Sequence, residues 1–124
     1  MGTWDSGNFD NDTAADHLAR VIGRLVDEVV AAMAGDPVGI EPDEYGGVVV
    51  PCNVELLTVL ARAGYGAGAL PGRAVVEEWR RRYVAVWERT IDGLEPTPEY
   101  RAERRAILDR TFDGLAEVAA EEAD

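Results

Sequence analysis

The chain has 124 residues, enough for one domain with a buried core, and its three Trp, four Tyr and two Phe exclude a disordered polymer. Its formal net charge is −12, unevenly spread: residues 1–56 carry eleven acids and two arginines (−9), and residues 57–124 carry thirteen and ten (−3). That field repels phosphate backbones and anionic lipid, which excludes nucleic acid and membrane surfaces as partners and favours a basic protein.

All twelve basic residues are arginine, as expected of coding bias in a GC-rich bacterial genome. Cys52 is the single cysteine, so no internal disulfide forms and a reducing, cytoplasmic location is expected. No apolar run approaches the roughly 20 residues of a membrane span, and no signal peptide is recognised.

In chain order, a glycine-containing loop first carries Trp4 and Phe9 ahead of any regular structure. Such a loop is expected to fold back and dock, because an untied terminus frays. Helix one follows over residues 12–34. Its apolar set, Ala14, Leu18, Val21, Ile22, Leu25, Val26, Val29 and Met33, keeps the three-four spacing of an amphipathic helix. Asn11 or Asp12 can cap its start, or Thr13, which with Asp16 imitates a capping box. Gly35 stands where a left-handed residue is wanted, and Asp36-Pro37 forbids continuation.

Residues 36–47 read as an acidic loop punctuated by Pro and Gly, and Val48-Val49-Val50 as a short extended piece with no partner strand. Helix two is predicted to begin between Pro51 and Asn53, to run through Val54, Leu57, Leu60 and Ala61, and to stop before Gly64. The stretch Gly64–Gly72 follows a helix and lacks the Lys and Ser/Thr of a phosphate loop, so it reads as a flexible connection. Helix three is predicted over residues 72–93, with Val75, Val76, Trp79, Tyr83, Val86, Trp87 and Ile91 inward. Glu77–Arg81 and Glu78–Arg82 are the expected ion pairs on its outer side, leaving Arg80-Arg81-Arg82 as a solvated face. Thr97-Pro98 places an N-cap before a proline at the first helical position and starts helix four. That helix is expected to turn Tyr100, Ile107, Leu108, Thr111, Phe112, Leu115 and Val118 inward. The fold class is therefore all-α: about four helices in a small bundle with a docked N-terminal loop, one domain over residues 1–124.

The opening Met1-Gly2-Thr3-Trp4, with Gly7, Phe9, Asn11-Asp12, Ala14 and Asp16, resembles a bacterial family, domain of unknown function 4259. Members of that family begin Met-Gly-x-Trp-x-x-Gly-x-Phe-x-x-Asp-x-Ala-x-Asp. The resemblance implies a single-domain, cytoplasmic, bacterial protein and supplies no activity.

Asp12, Asp16 and His17, with Glu55 from helix two, are the nearest thing to a functional cluster. Residues 12 and 16 share a helix face, and their oxygens with His17 could hold a hard divalent cation. The simpler reading prevails: acids at a helix start cap free N–H groups and complement the dipole. His17 reads as structural, and Cys52 as a small buried residue. Trp4, Gly7, Phe9 and Asn11 read as a clasp that docks the terminus, with Phe9 stapled against helix one. No catalytic residue and no cofactor are predicted, and a divalent metal is the minor alternative. The leading functional expectation is a protein-binding accessory, regulatory or immunity-type module. Its rivals are a metal-assisted hydrolase built on the acidic cluster, and a homo-oligomer that pairs spare apolar faces of helices one and three.

Overall fold

The computed structural model describes residues 5–119, and all of its long elements are helices. They are α1 (Asp12–Ala34), α2 (Tyr45–Arg62), α3 (Arg73–Thr90) and α4 (Pro98–Ala119), with no β-strand among the described residues. Three short 3₁₀ turns, Pro37–Ile40, Ala67–Ala69 and Ile91–Leu94, sit in the connections. α2 packs on both α1 and α4, and α3 packs on α4, so the order in space is α1, α2, α4, α3. No helix among the described residues is long and apolar enough to cross a membrane.

Of the candidate caps for α1, Asn11 is the one used. Its backbone is extended, and its Oδ1 accepts the Ala14 N–H at 2.8 Å. The other end departs from expectation. Gly35 is extended (φ −81°, ψ −172°), not left-handed. Pro37 restricts Asp36 to extended backbone, and the Asp36 carboxylate accepts the Val38 N–H at 2.9 Å to start the next turn. The chain therefore leaves α1 straight and has no need of a reversal at Gly35.

The largest correction lies at α2. It begins at Tyr45, so Val48-Val49-Val50 is helical rather than extended and Pro51 lies inside the helix. Tertiary packing overrides the β-branched run. A Cβ on Gly46 would stand 2.5 Å from the Gly39 carbonyl oxygen, and one on Gly47 would overlap the Glu41 carbonyl. Two glycines thus admit the backbone of residues 37–41 against the helix, which carries Ile40 into the core (1% exposed). Pro51 has no N–H to give the Gly47 carbonyl. That oxygen accepts a hydrogen bond from the Tyr83 hydroxyl of α3 instead, at 2.6 Å.

α2 ends as predicted, before Gly64, in a glycine reversal. Gly64 has φ +90°, its N–H donates to the Ala61 carbonyl, and the Tyr65 N–H donates to the Leu60 carbonyl at 2.9 Å. The following connection contains a short 3₁₀ turn, Ala67–Ala69, in contact with α1.

Between the helices lie Trp87, Tyr83 and Phe112, the largest fully buried side chains, joined by Ile22, Leu57 and Leu108. The Tyr83 and Phe112 rings stand 5.6 Å apart, tilted by 42°. On α4 the buried line is Leu108, Phe112, Leu115, Ala116 and Ala119. Tyr100 and Ile107 stand off that line and are exposed, as is Val75 on α3, so three expected core positions face solvent. Thr97 does cap α4, accepting the Tyr100 N–H at 3.1 Å. The ion pairs also rearrange. Arg81 pairs with Glu78 and Arg73 with Glu77, while Arg80 leaves the solvated face and crosses to Asp109 and Asp113 of α4, 3.0 Å from each.

Candidate functional site

Asp12, Asp16 and His17 are exposed on the opening turns of α1. Asp12 lies in the first turn, where a carboxylate complements the helix dipole. Glu55 is exposed halfway along α2, on the rim of a groove shared with Thr58, Arg62 and Ile107. It does not join the other three, because the C-terminal end of α2, not its middle, meets the start of α1. Phe9 packs on Tyr65 beyond that end, ring centroids 5.0 Å apart and planes tilted by 57°, whereas Asn53 in mid-helix lies against Leu25 and Glu28. Among the described residues no three His, Cys, Asp or Glu side chains gather to hold a metal ion.

Around the terminus, the Gly7 N–H donates to Asp10 Oδ2 at 2.9 Å, and the Asp10 N–H donates to the Gly7 carbonyl at 3.1 Å. Asp10 is therefore turned into the loop. Asn11 closes the helix, and Phe9 rests on Tyr65 of the α2–α3 connection. Trp4 lies outside the described residues. Cys52 is exposed, not buried as expected. The inner arc of α2 belongs to Val50, Pro51, Asn53, Val54, Leu57 and Thr58, and Cys52 points away from it.

The sequence reading missed a concavity at the corner where α1 ends and α2 begins. A pocket of about 440 Å³ is lined by Ala31, Ala32 and Gly35, by Gly39 of the 3₁₀ turn, and by Tyr45, Gly46 and Val49. Glu28 and Asp36 complete its wall. Small side chains on three converging elements leave the space. Asn53, 5% exposed, holds Glu28 in that wall from behind: its amide donates to the Leu25 carbonyl at 3.1 Å and to Glu28 Oε1 at 2.7 Å. Tyr45, 80% exposed, stands at the mouth. The surface continues along the outer side of α2 as Val48, Cys52, Leu56 and Val59, all exposed. Between residues 45 and 62 only Glu55 and Arg62 are charged. That scarcity was the available signal, obscured by reading Val48–Val50 as a separate extended piece. Chemically, an apolar hollow walled by two carboxylates suits an apolar group carried on a cationic chain.

A larger hollow of about 770 Å³ between α3 and α4 is lined by Arg73, Arg80, Arg81 and Arg105. Each of those guanidiniums is already engaged by a carboxylate. Arg80 and Arg105 belong to a run of alternating charge between α3 and α4: Asp92, Arg101, Glu88, Arg105, Asp109, Arg80 and Asp113. Arg101 also lies over the Trp87 ring, 5.4 Å from its centroid. The Arg101 hydrogen bond, with Arg105 adding to it, holds the Glu88 carboxyl below the usual glutamate range. This is a clamp between α3 and α4, with its charges spent on one another. Burial pushes the Tyr83 phenol up to about 12, so it stays a neutral donor to Gly47.

Searches among curated proteins and among solved structures returned no match. A family model does match, and it takes in α1, α2, α3 and most of α4. With residues 2–110 matched, the chain belongs to the family described as Domain of unknown function (DUF4259).

Proposed function

We propose that the protein is a protein-binding module, of the accessory, regulatory or immunity type, that receives an apolar side chain of a basic partner in the pocket between α1 and α2. The observation that carries this reading is the pocket itself: a floor of Ala31, Ala32, Gly39, Gly46 and Val49 beneath Glu28 and Asp36. It lies in the half of the chain that carries −9. Desolvated apolar anchors within a charged rim supply most of the energy in protein interfaces, and opposite charge raises the encounter rate. The lone, free Cys52 supports work in a reducing bacterial cytoplasm.

Gly39 gives the test. A Cβ there meets nothing within 4 Å, so Gly39→Trp adds bulk at the pocket wall with no clash at Cβ. Affinity purification from the native host with wild type and Gly39→Trp as paired baits should yield a basic protein that only wild type retains, and that salt releases. Equal recovery by both baits, or recovery of acidic proteins alone, would discard the reading.

A further inference from the structure

The outer face of α2 has an arrangement that the pocket does not explain. Tyr45, Val48, Cys52, Leu56 and Val59 fall within about 80° of helical arc at 3.6 residues per turn. They are 80%, 55%, exposed, 48% and 58% accessible in that order. Their spacings are three, four, four and three, so the series reads the same in either direction about Cys52. A surface helix normally turns charge outward along this face, yet only Glu55 flanks the stripe, with Arg62 one turn beyond.

We propose that a second copy of this chain covers the stripe, its α2 running antiparallel across the first about a twofold axis near Cys52. In that register Tyr45 meets Val59 of the other copy, Val48 meets Leu56, and Cys52 meets its own counterpart. A twofold interface demands self-complementarity, and the palindromic spacing supplies it. Charge is complementary in the same register. Arg62 of one copy falls just ahead of the other copy's α2, at the turn that carries the exposed Asp43, and the twofold repeats the contact. Arg62 pairs with Glu117 of α4 at 3.8 Å with both side chains more than half exposed, a surface pair whose exchange for Asp43 costs little. Glu55 falls opposite Val49 and not opposite another Glu55.

Each copy carries −12, which opposes association. Charges away from the seam are screened beyond about 8 Å at physiological ionic strength, whereas the apolar contact is not. Added salt should therefore hold or tighten the dimer. That is the reverse of its effect on a basic partner in the pocket; because the seam takes in Tyr45 and borders Val49 at the pocket, the two occupants would compete there, and salt tells them apart.

The test is sedimentation equilibrium of the whole chain. Wild type should form dimers at micromolar concentration that persist or tighten as sodium chloride rises. Val48→Glu and Leu56→Glu alter exposed positions only and should give monomers with an unchanged helical circular dichroism spectrum. Arg62→Glu should weaken the dimer by about tenfold or more, roughly 1.4 kcal/mol, and Arg62→Glu with Asp43→Arg should restore it. A wild-type monomer at high concentration overturns the proposal, as does a dimer indifferent to Leu56→Glu. Failure of the double charge reversal to restore association overturns the antiparallel register.

Discussion

Tyr83 of α3 donates its hydroxyl proton to the Gly47 carbonyl of α2 at 2.6 Å, the acceptor that Pro51 leaves without its helical partner. The residue that deprives the helix of a bond is thus matched, one helix away, by the residue that supplies it. A buried, unpaired carbonyl costs about 1–3 kcal/mol, so Tyr83→Phe should lose about that much in denaturant unfolding. In a Pro51→Ala background the new N–H can reach Gly47, and the same substitution should then cost less. A double-mutant cycle with coupling above about 0.5 kcal/mol is expected; additive costs would show that the two residues act separately.

The same phenol sets the alkaline limit of the fold. Its folded pKa, about 12, lies above the ordinary tyrosine value near 10 in an unfolded chain. The stabilisation is therefore complete below about pH 10 and is lost as pH rises through about 12, on the order of 2–3 kcal/mol in all. Unfolding midpoints should fall over that window in wild type and fall less in Tyr83→Phe. The difference in 295 nm absorbance between the two proteins should titrate near pH 12.

Glycine substitutions should change sign with place. Gly23, inside α1, has no heavy atom within 4 Å of a built Cβ, so Gly23→Ala should stabilise by about 0.5–1 kcal/mol through helix propensity. Gly47→Ala drives its Cβ into the Glu41 carbonyl and must displace the turn that buries Ile40. We expect it to cost about 1–3 kcal/mol, as other overpacking changes do. Thermal melts of the two single variants decide the matter, and equal shifts would mean the turn is not held against α2.

How much of this was written in the chain depends on where one looks. α1 was legible to the residue, because a polar cap, an unbroken three-four stripe and Asp36-Pro37 all point the same way. Thr97-Pro98 was equally plain, since capping is a local interaction. The start of α2 was not. Val48–Val50 and Pro51 argue locally against a helix, and what overrules them is remote: a backbone turn seated on Gly46 and Gly47, and a hydroxyl supplied 36 residues downstream. The pocket was hidden for the same reason, because its walls of Ala, Gly and Val carry no chemical signature until three elements converge. Asp12, Asp16 and Glu55 drew attention by their charge, while the structure leaves Glu55 in mid-α2, apart from the two acids at the start of α1.

The clamp between α3 and α4 predicts the acid limit. Arg101 and Arg105 hold the Glu88 carboxyl below its ordinary range, so its stabilisation is present above the unfolded glutamate value and is lost as pH falls through that range. Glu88→Gln should lower stability at neutral pH by no more than about 1 kcal/mol, since the pair is one-third exposed and screened. It should also flatten the acid arm of the stability curve. An acid arm as steep as wild type's would locate that sensitivity elsewhere.

The N-terminal attachment can be divided into two parts that act differently. Asn11 satisfies a backbone donor of α1, so Asn11→Ala should cost about 0.5–2 kcal/mol globally, and Asn11→Ser should recover most of it. Phe9 touches Tyr65 in the connection that follows α2. Its removal should free the loop and expose that connection while leaving the core of Trp87 and Phe112 intact. Phe9→Ala is therefore expected to raise amide exchange selectively in residues 5–11 and 64–69, with a smaller change in global unfolding than Asn11→Ala. Uniform exchange across α1 to α4 in Phe9→Ala would mean that the loop is part of the cooperative core and not an attachment to it.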